Sequence, residues 1–191
     1  MNSTVPKTAT SAGQPGWLNP LAARSRLQRD HHDEHSCANI IGGLLAVEDV
    51  LLDLDPRNNA ELFQAIGHHM ETRHGLSGEG VTAALSHRER IGSTALGQGV
   101  AIPHARIQGL ARIQLAYVHL KQPISFEAPD SLPVSDFLVL LVPKQATEEH
   151  LAILAEATHV FADRELRERL RQCRSPHEVK EIFDTRRHAA S

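Results

Sequence analysis

From Leu44 onward the apolar positions follow two different periods. Val50-Leu51-Leu52-Asp53-Leu54 reads as an entering strand, and Asp55 with Pro56 then offers a helix start. Leu62, Ile66 and Met70 follow at i, i+4 and i+8, one stripe of a helix that Gly75 ends. His68, His69 and His74 lie on that helix and are read as helix-surface histidines in preference to a metal site. Ser77 is placed to cap a second helix, which runs through Val81 and Leu85 to Arg88-Glu89-Arg90 and stops at Gly92. Residues Ile113 to Leu120 alternate loosely, as a strand with one better-buried face does. Val134 to Val142 reads as a central strand closed by Pro143. Thr147-Glu148-Glu149 caps a helix carrying Leu151, Leu154, Thr158 and Phe161, after which Asp163 and Ser175-Pro176 open two more. This order predicts an α/β fold needing both parallel and antiparallel strand pairs, with no internal repeat.

The region before this pattern is different in kind. Residues 1–38 mix Ser, Thr, Pro, Gly and clustered charges with almost no apolar periodicity, so they are expected to form a disordered tail ahead of one domain over residues 39–187. The tail's His31-His32-Asp33-Glu34-His35 run is read as solvated charge, because a metal site there would draw every ligand from one flexible stretch. A chain of 191 residues has room for one core and a tail. Its core must be aliphatic, because aromatics make up only 4%.

Charge and cysteine usage then remove several function classes. A formal charge of −3 gives no broad positive field, so nucleic acid is not an expected partner. Cys37 and Cys173 stand far apart in no metal or redox spacing, which fits a reducing, cytoplasmic setting. The apolar run Phe137 to Val142 is a buried strand, far short of the roughly 20 residues a membrane span needs. Pro6, Lys7, Gly13, Pro15 and Gly16 interrupt any secretory signal, so neither export nor membrane insertion is expected.

The most informative stretch runs from Arg88 to His104. Gly92, Gly97 and Gly99, with the hydroxyls of Ser93 and Thr94, precede a short apolar strand that ends in Pro103-His104. Glycine lets a partner or phosphate come close to the backbone, while Pro103 biases Ile102 to an extended conformation and so limits how His104 is presented. An imidazole with a reference pKa of about 6.5 is a nucleophile near neutral pH without an activating base, which Ser93 or Thr94 would require. The segment lacks the Gly-Lys-Ser/Thr of a P-loop, and Gly97-Gln98-Gly99 lacks the third glycine of a dinucleotide fingerprint.

Taken whole, this stretch resembles the active-site signature of phosphotransferase-system enzyme IIA proteins of the fructose/mannitol type, and within them the nitrogen-regulatory branch. Arg88, Glu89, Gly92, Ser93, Thr94, Gly97, Gly99, Ala101, Ile102, Pro103 and His104 fill the pattern, and Pro123-Ile124-Ser125-Phe126 and Thr147-Glu148-Glu149-His150-Leu151 continue the likeness over about residues 40 to 185. The chain departs from it at Ala95, where the family usually has glycine, and at Ala105, where it often does; an Ala95 that replaced a positive-φ glycine would force the loop to relax. The resemblance implies a single α/β domain with a central mixed sheet flanked by helices. It implies further that His104 accepts a phosphoryl group, that His150 lies beside it as a second imidazole, and that Arg88 supplies positive charge. Ser93, Thr94, Gly97 and Gly99 become candidates for phosphate or partner binding. Ile102, Val100 and residues near Leu151 are expected to form an apolar rim.

The implied function is that of a regulatory phosphocarrier, a phosphotransferase working through phosphohistidine. It takes its phosphoryl group from an HPr-like phosphocarrier protein and acts on regulatory target proteins, without nucleotide, metal or other cofactor. A sugar-uptake component that hands phosphate to a permease IIB domain uses the same chemistry. A non-catalytic binding module, or a metal protein built on the tail histidines, belongs to another class.

Overall fold

The computed structural model describes residues 39–145 and 148–186; the expected tail, with its histidine run, and the expected cap Thr147 lie outside them. A short helix α1 (Ile40–Leu44) and a 3-10 turn (Val47–Asp49) lead into strand β1 (Val50–Leu54). Helices α2 (Asn59–His74) and α3 (Gly78–Ile91) follow, then strands β2 (Ala95–Gly97), β3 (Val100–Ala101), β4 (His104–Ile107), β5 (Gln114–Ile124) and β6 (Val134–Pro143). Helices α4 (Glu148–Ala162), α5 (Arg164–Gln172) and α6 (Pro176–Thr185) complete the described chain.

Most element ends fall where the cap chemistry predicts. Ser77, Asp163 and Ser175 each cap the helix that follows by accepting backbone N–H bonds, and Pro176 opens α6. The start of α2 is later than Asp55-Pro56 suggests. Asn58 is the cap, its side chain accepting from Glu61 N, while the Glu61 carboxylate accepts in return from Arg57 N. This reciprocal pair satisfies two otherwise orphaned donors and outweighs the proline signal two residues upstream.

The sheet is mixed, in the order β1-β5-β6-β3-β2, with β4 also paired to β6. Strand β6 is its centre. It runs antiparallel to β5 on one side; on the other, β3 (Val100 opposite Asp136) and β4 (His104 opposite Leu140) lie parallel to it, one after the other. Pro103 is the reason these are two strands, since it has no N–H to continue the ladder. Its carbonyl still accepts from Leu140 N at 2.9 Å, so the register is carried across the break and His104 opens a new strand.

Side chains of β6 alternate between two cores. Phe137, Val139 and Leu141 pack with Leu62, Ile66 and Leu85 of α2 and α3, while Leu138, Leu140 and Val142 pack with Ile153, Leu170 and Phe183 of α4, α5 and α6. A strand covered on both faces can be apolar throughout, which explains the uninterrupted run from Phe137 to Val142. Ala95 and Ala105 sit in strands without positive φ, so at neither position does the backbone demand glycine.

The glycine pair has another task. Gly97 (φ +86°), Gln98 (φ +58°) and Gly99 (φ +79°) make the tight turn between β2 and β3. A Cβ on Gly97 would lie 3.0 Å from the Asp130 carboxylate, and one on Gly99 would lie 2.7 Å from the Arg171 guanidinium. Asp130 accepts from Gln98 N at 2.7 Å, and Arg171 donates to Gln98 O at 2.7 Å, so the turn is held from both sides. Arg171 also reaches Asp136, a buried carboxylate that accepts from Tyr117 Oη, His119 Nδ1 and Ser135 Oγ as well. Burial pushes the Asp136 pKa up, but these donors outweigh it and hold the group below the usual carboxylate range.

Candidate functional site

Among the described residues strand β4 is paired only on its β6 side, and beside it lies a cavity of about 410 Å³ lined by α3, β4, the end of β6 and the first turns of α4. Three of the residues singled out from sequence meet there: Arg88, His104 and His150. They come from the last turn of α3, the first position of β4 and the third residue of α4.

The half-buried His104 ring is held at both nitrogens. Nδ1 lies 2.9 Å from Ile102 O, a pure acceptor, so Nδ1 carries the proton and donates it. Nε2 is then the lone-pair nitrogen, and it accepts from Arg88 Nε–H at 3.1 Å. The two contacts require the same neutral tautomer. Burial lowers the His104 pKa from its ordinary 6.5, and the Arg88 charge works in the same direction against the opposing pull of the Ile102 carbonyl. The result is a neutral imidazole with one defined nucleophilic nitrogen at neutral pH.

Arg88 is itself anchored, since its Nη1 donates to Gly92 O at 2.8 Å across the end of α3. Glu89, next along the helix, binds the following loop: it accepts from Thr94 N at 3.0 Å and from Thr94 Oγ1 at 2.6 Å. The Arg-Glu pair thus sends one side chain to the imidazole and the other to the strand that carries it. His150 is half-buried, and its Nδ1 is buried with no hydrogen-bond partner among the described residues. A polar atom left in this state costs about 1–3 kcal/mol until something pairs with it.

The other four candidates are not among the residues lining the cavity. Ser93 donates to Phe126 O at 2.8 Å and accepts from Ala95 N, and Thr94 is buried against Glu89; both hydroxyls serve the loop. Gly99 pairs near Asp136 and His104 opposite Leu140, about 13 Å apart along β6 at the usual strand rise. Gly97 and Gly99 thus form a turn held by Asp130 and Arg171, apart from the cavity that Arg88, His104 and His150 line. The expected apolar rim is found at Leu151 but not at Val100 or Ile102. Val100 and Ile102 are buried in the core beneath α4, and the exposed apolar side chains beside the cavity are Ile91 and Leu151, at 72% and 58% exposure. Arg106 and His87 line the cavity although neither is in the candidate set; Arg106 stands two residues beyond His104, on the same side of the strand by its period of two.

The chain and its fold have known relatives. The family model for the phosphoenolpyruvate-dependent sugar phosphotransferase system, EIIA 2, matches residues 44–185. The chain belongs to this family. Within the EIIA 2 proteins its similarity is to the nitrogen-regulatory branch. The nitrogen regulatory protein of Bradyrhizobium diazoefficiens is 31% identical over 143 residues, 75% of this chain and 94% of that protein. That of Pseudomonas aeruginosa is 45% identical over 84 residues, and there the match spans 44% of this chain and about half, 54%, of the relative. The crystal structure of the nitrogen regulatory protein IIA-Ntr from Neisseria meningitidis superposes with a TM-score of 0.71 at 39% identity, covering 75% of this chain and 99% of that one. The mixed sheet between helices is therefore the EIIA 2 fold. No helix among the described residues is long and apolar enough to cross a membrane.

Proposed function

We propose that this EIIA 2 protein is a cytoplasmic regulatory phosphocarrier in which His104 Nε2 accepts a phosphoryl group from an HPr-like phosphocarrier protein. The observation that carries the reading is the tautomer: Nδ1–H is committed to Ile102 O, which leaves Nε2 as the only nucleophilic nitrogen of that ring.

In the transfer, the Nε2 lone pair attacks phosphorus as the donor's phosphorus–nitrogen bond breaks, and the donor imidazole departs with its electron pair. No proton needs to move. The His104 ring becomes an N-phosphorylated imidazolium that keeps its Nδ1 proton, and the Ile102 carbonyl stabilises the new positive charge. Arg88 Nε–H, which occupies Nε2 beforehand, turns to a phosphoryl oxygen as the anion arrives, while the Gly92 carbonyl keeps its guanidinium in reach. His150, which lines the same cavity, supplies a second contact to the phosphoryl oxygens through a ring N–H. Ile91 and Leu151 form an apolar rim that excludes water when the donor docks, and positioning dominates the rate.

The regulatory role, exerted through target proteins whose binding depends on the phosphorylation state, rests on the names of the relatives. Incubation with a phosphorylated HPr-type donor carrying radiophosphate is expected to label the wild type and to leave His104→Ala unlabelled. Labelling of His104→Ala to the wild-type level would overturn the proposal.

A further inference from the structure

A second histidine cluster lies outside the phosphoryl site. The carboxylate of Asp49, at the end of the 3-10 turn before β1, is only 2% exposed. Its Oδ1 accepts from His69 Nε2 at 2.9 Å and from His74 Nε2 at 2.8 Å. Both rings are largely covered, so these are not the helix-surface histidines that periodicity suggests; His68, their neighbour, is the exposed one. Among the described residues no lysine or arginine forms an ion pair with Asp49. Among the described residues its buried charge is met by the hydrogen bonds from these two imidazoles.

We infer that Asp49, His69 and His74 form a binding site for a divalent transition metal, with Zn²⁺ the best fit. Two imidazoles and a carboxylate are a common donor set for this ion, with a further position left open. The three donor atoms lie within 4.8 Å of one another. Tetrahedral zinc bonds of about 2.0–2.1 Å require donors roughly 3.3 Å apart, so the two Asp49–imidazole contacts would open by about half an ångström and the two ring nitrogens, now within 4.8 Å of each other, would close by at most about 1.5 Å. Each neutral ring moves its proton from Nε2 to Nδ1 and presents the Nε2 lone pair. Neither ring loses a proton overall, and Asp49 binds as the carboxylate it already is. Asp49 and His74 also line a cavity of about 650 Å³, which gives water access to the open position. The ion would clamp the last turn of α2 to the turn that leads into β1.

Titration of the full-length protein with Co²⁺, a coloured stand-in for Zn²⁺, tests this in a background where His31, His32 and His35 are replaced by alanine. One equivalent is expected to give the visible absorption of a four-coordinate site, and Zn²⁺ to displace it. Asp49→Asn and His74→Gln should each weaken binding at least about a hundredfold, beyond the 10–100-fold typical of outer-shell changes, and His68→Gln should change nothing. If the first two variants unfold, histidine ring ¹⁵N spectra of the unsubstituted chain decide the matter, since Zn²⁺ must shift the signals of His69 and His74. Failure to bind one equivalent, binding that survives Asp49→Asn in a folded protein, or binding abolished instead by His150→Gln would overturn the assignment.

Discussion

Replacing Arg88 by glutamine removes the guanidinium that touches His104 while keeping a side chain of similar length. The structure gives two separate consequences. The Arg88 Nε–H bond, made to His104 Nε2 at rest and to a phosphoryl oxygen during transfer, is lost, and so is the positive charge that helps lower the imidazole pKa. A hydrogen bond from a charged group contributes about 1.5–3 kcal/mol, and because Arg88 is only half-buried the lower part of that range applies. A loss of about 2 kcal/mol in the transition state corresponds to roughly a 30-fold slower transfer. The pKa effect has a definite sign. Burial, the main cause of the lowered value, is unchanged, so His104 should still titrate below 6.5 but closer to it than in the wild type. The acid limb of the rate profile, where the neutral nucleophile disappears, should therefore move to higher pH in Arg88→Gln. Arg88→Lys keeps the charge without the Nε–H and should fall between the two. Rapid-quench phosphorylation by a phosphorylated HPr-type donor reads the rate, and histidine-selective NMR reads the titration. A rate within threefold of wild type, together with an unmoved His104 midpoint, would refute this reasoning.

Two further outcomes test how the turn and the sheet hold the site. Asp136→Asn replaces a buried acceptor of four hydrogen bonds with an amide that presents donors to donors, and should cost about 3 kcal/mol, or roughly 6–12 °C in thermal midpoint by calorimetry. Because the folded-state pKa of Asp136 is depressed, its contribution is present above the unfolded value near 3.8 and fades as pH falls through the lower folded value; the wild-type advantage over Asp136→Asn should shrink only in that acid range. Gly99→Ala forces alanine to a φ near +79° against Arg171 and should cost about 1–2 kcal/mol of stability by chemical denaturation. It should leave the phosphorylation rate unchanged, whereas a phosphate-cradling Gly99 would show a large rate loss.

What could be read from the chain was mostly local. The Leu62, Ile66, Met70 stripe, the caps at Ser77, Asp163 and Ser175, and the apolar run of β6 each report on neighbours within a turn or a strand, and each element is found where that pattern predicts. Arg88, His104 and His150 could be named together only through resemblance, because no periodicity links the end of one helix, the start of a strand and the first turn of another helix 46 residues on. The glycines show the same limit. Close backbone approach was the right expectation, but the approaching groups are Asp130 and Arg171 of the chain itself, and nothing near residue 97 announces them. His69 and His74 are about 140° apart around α2, so a helical wheel separates them; only the fold brings Asp49 between them.

The claim on which the rest depends is that His104 receives phosphate through Nε2. Phosphorus–nitrogen coupling in the NMR spectrum of the phosphorylated full-length protein, labelled with ¹⁵N in its histidine rings, measures this directly. The account predicts a single phosphohistidine, at position 104, coupled through Nε2 with Nδ1 still protonated. Phosphate on Nδ1 of that ring, or on any other histidine, would contradict it.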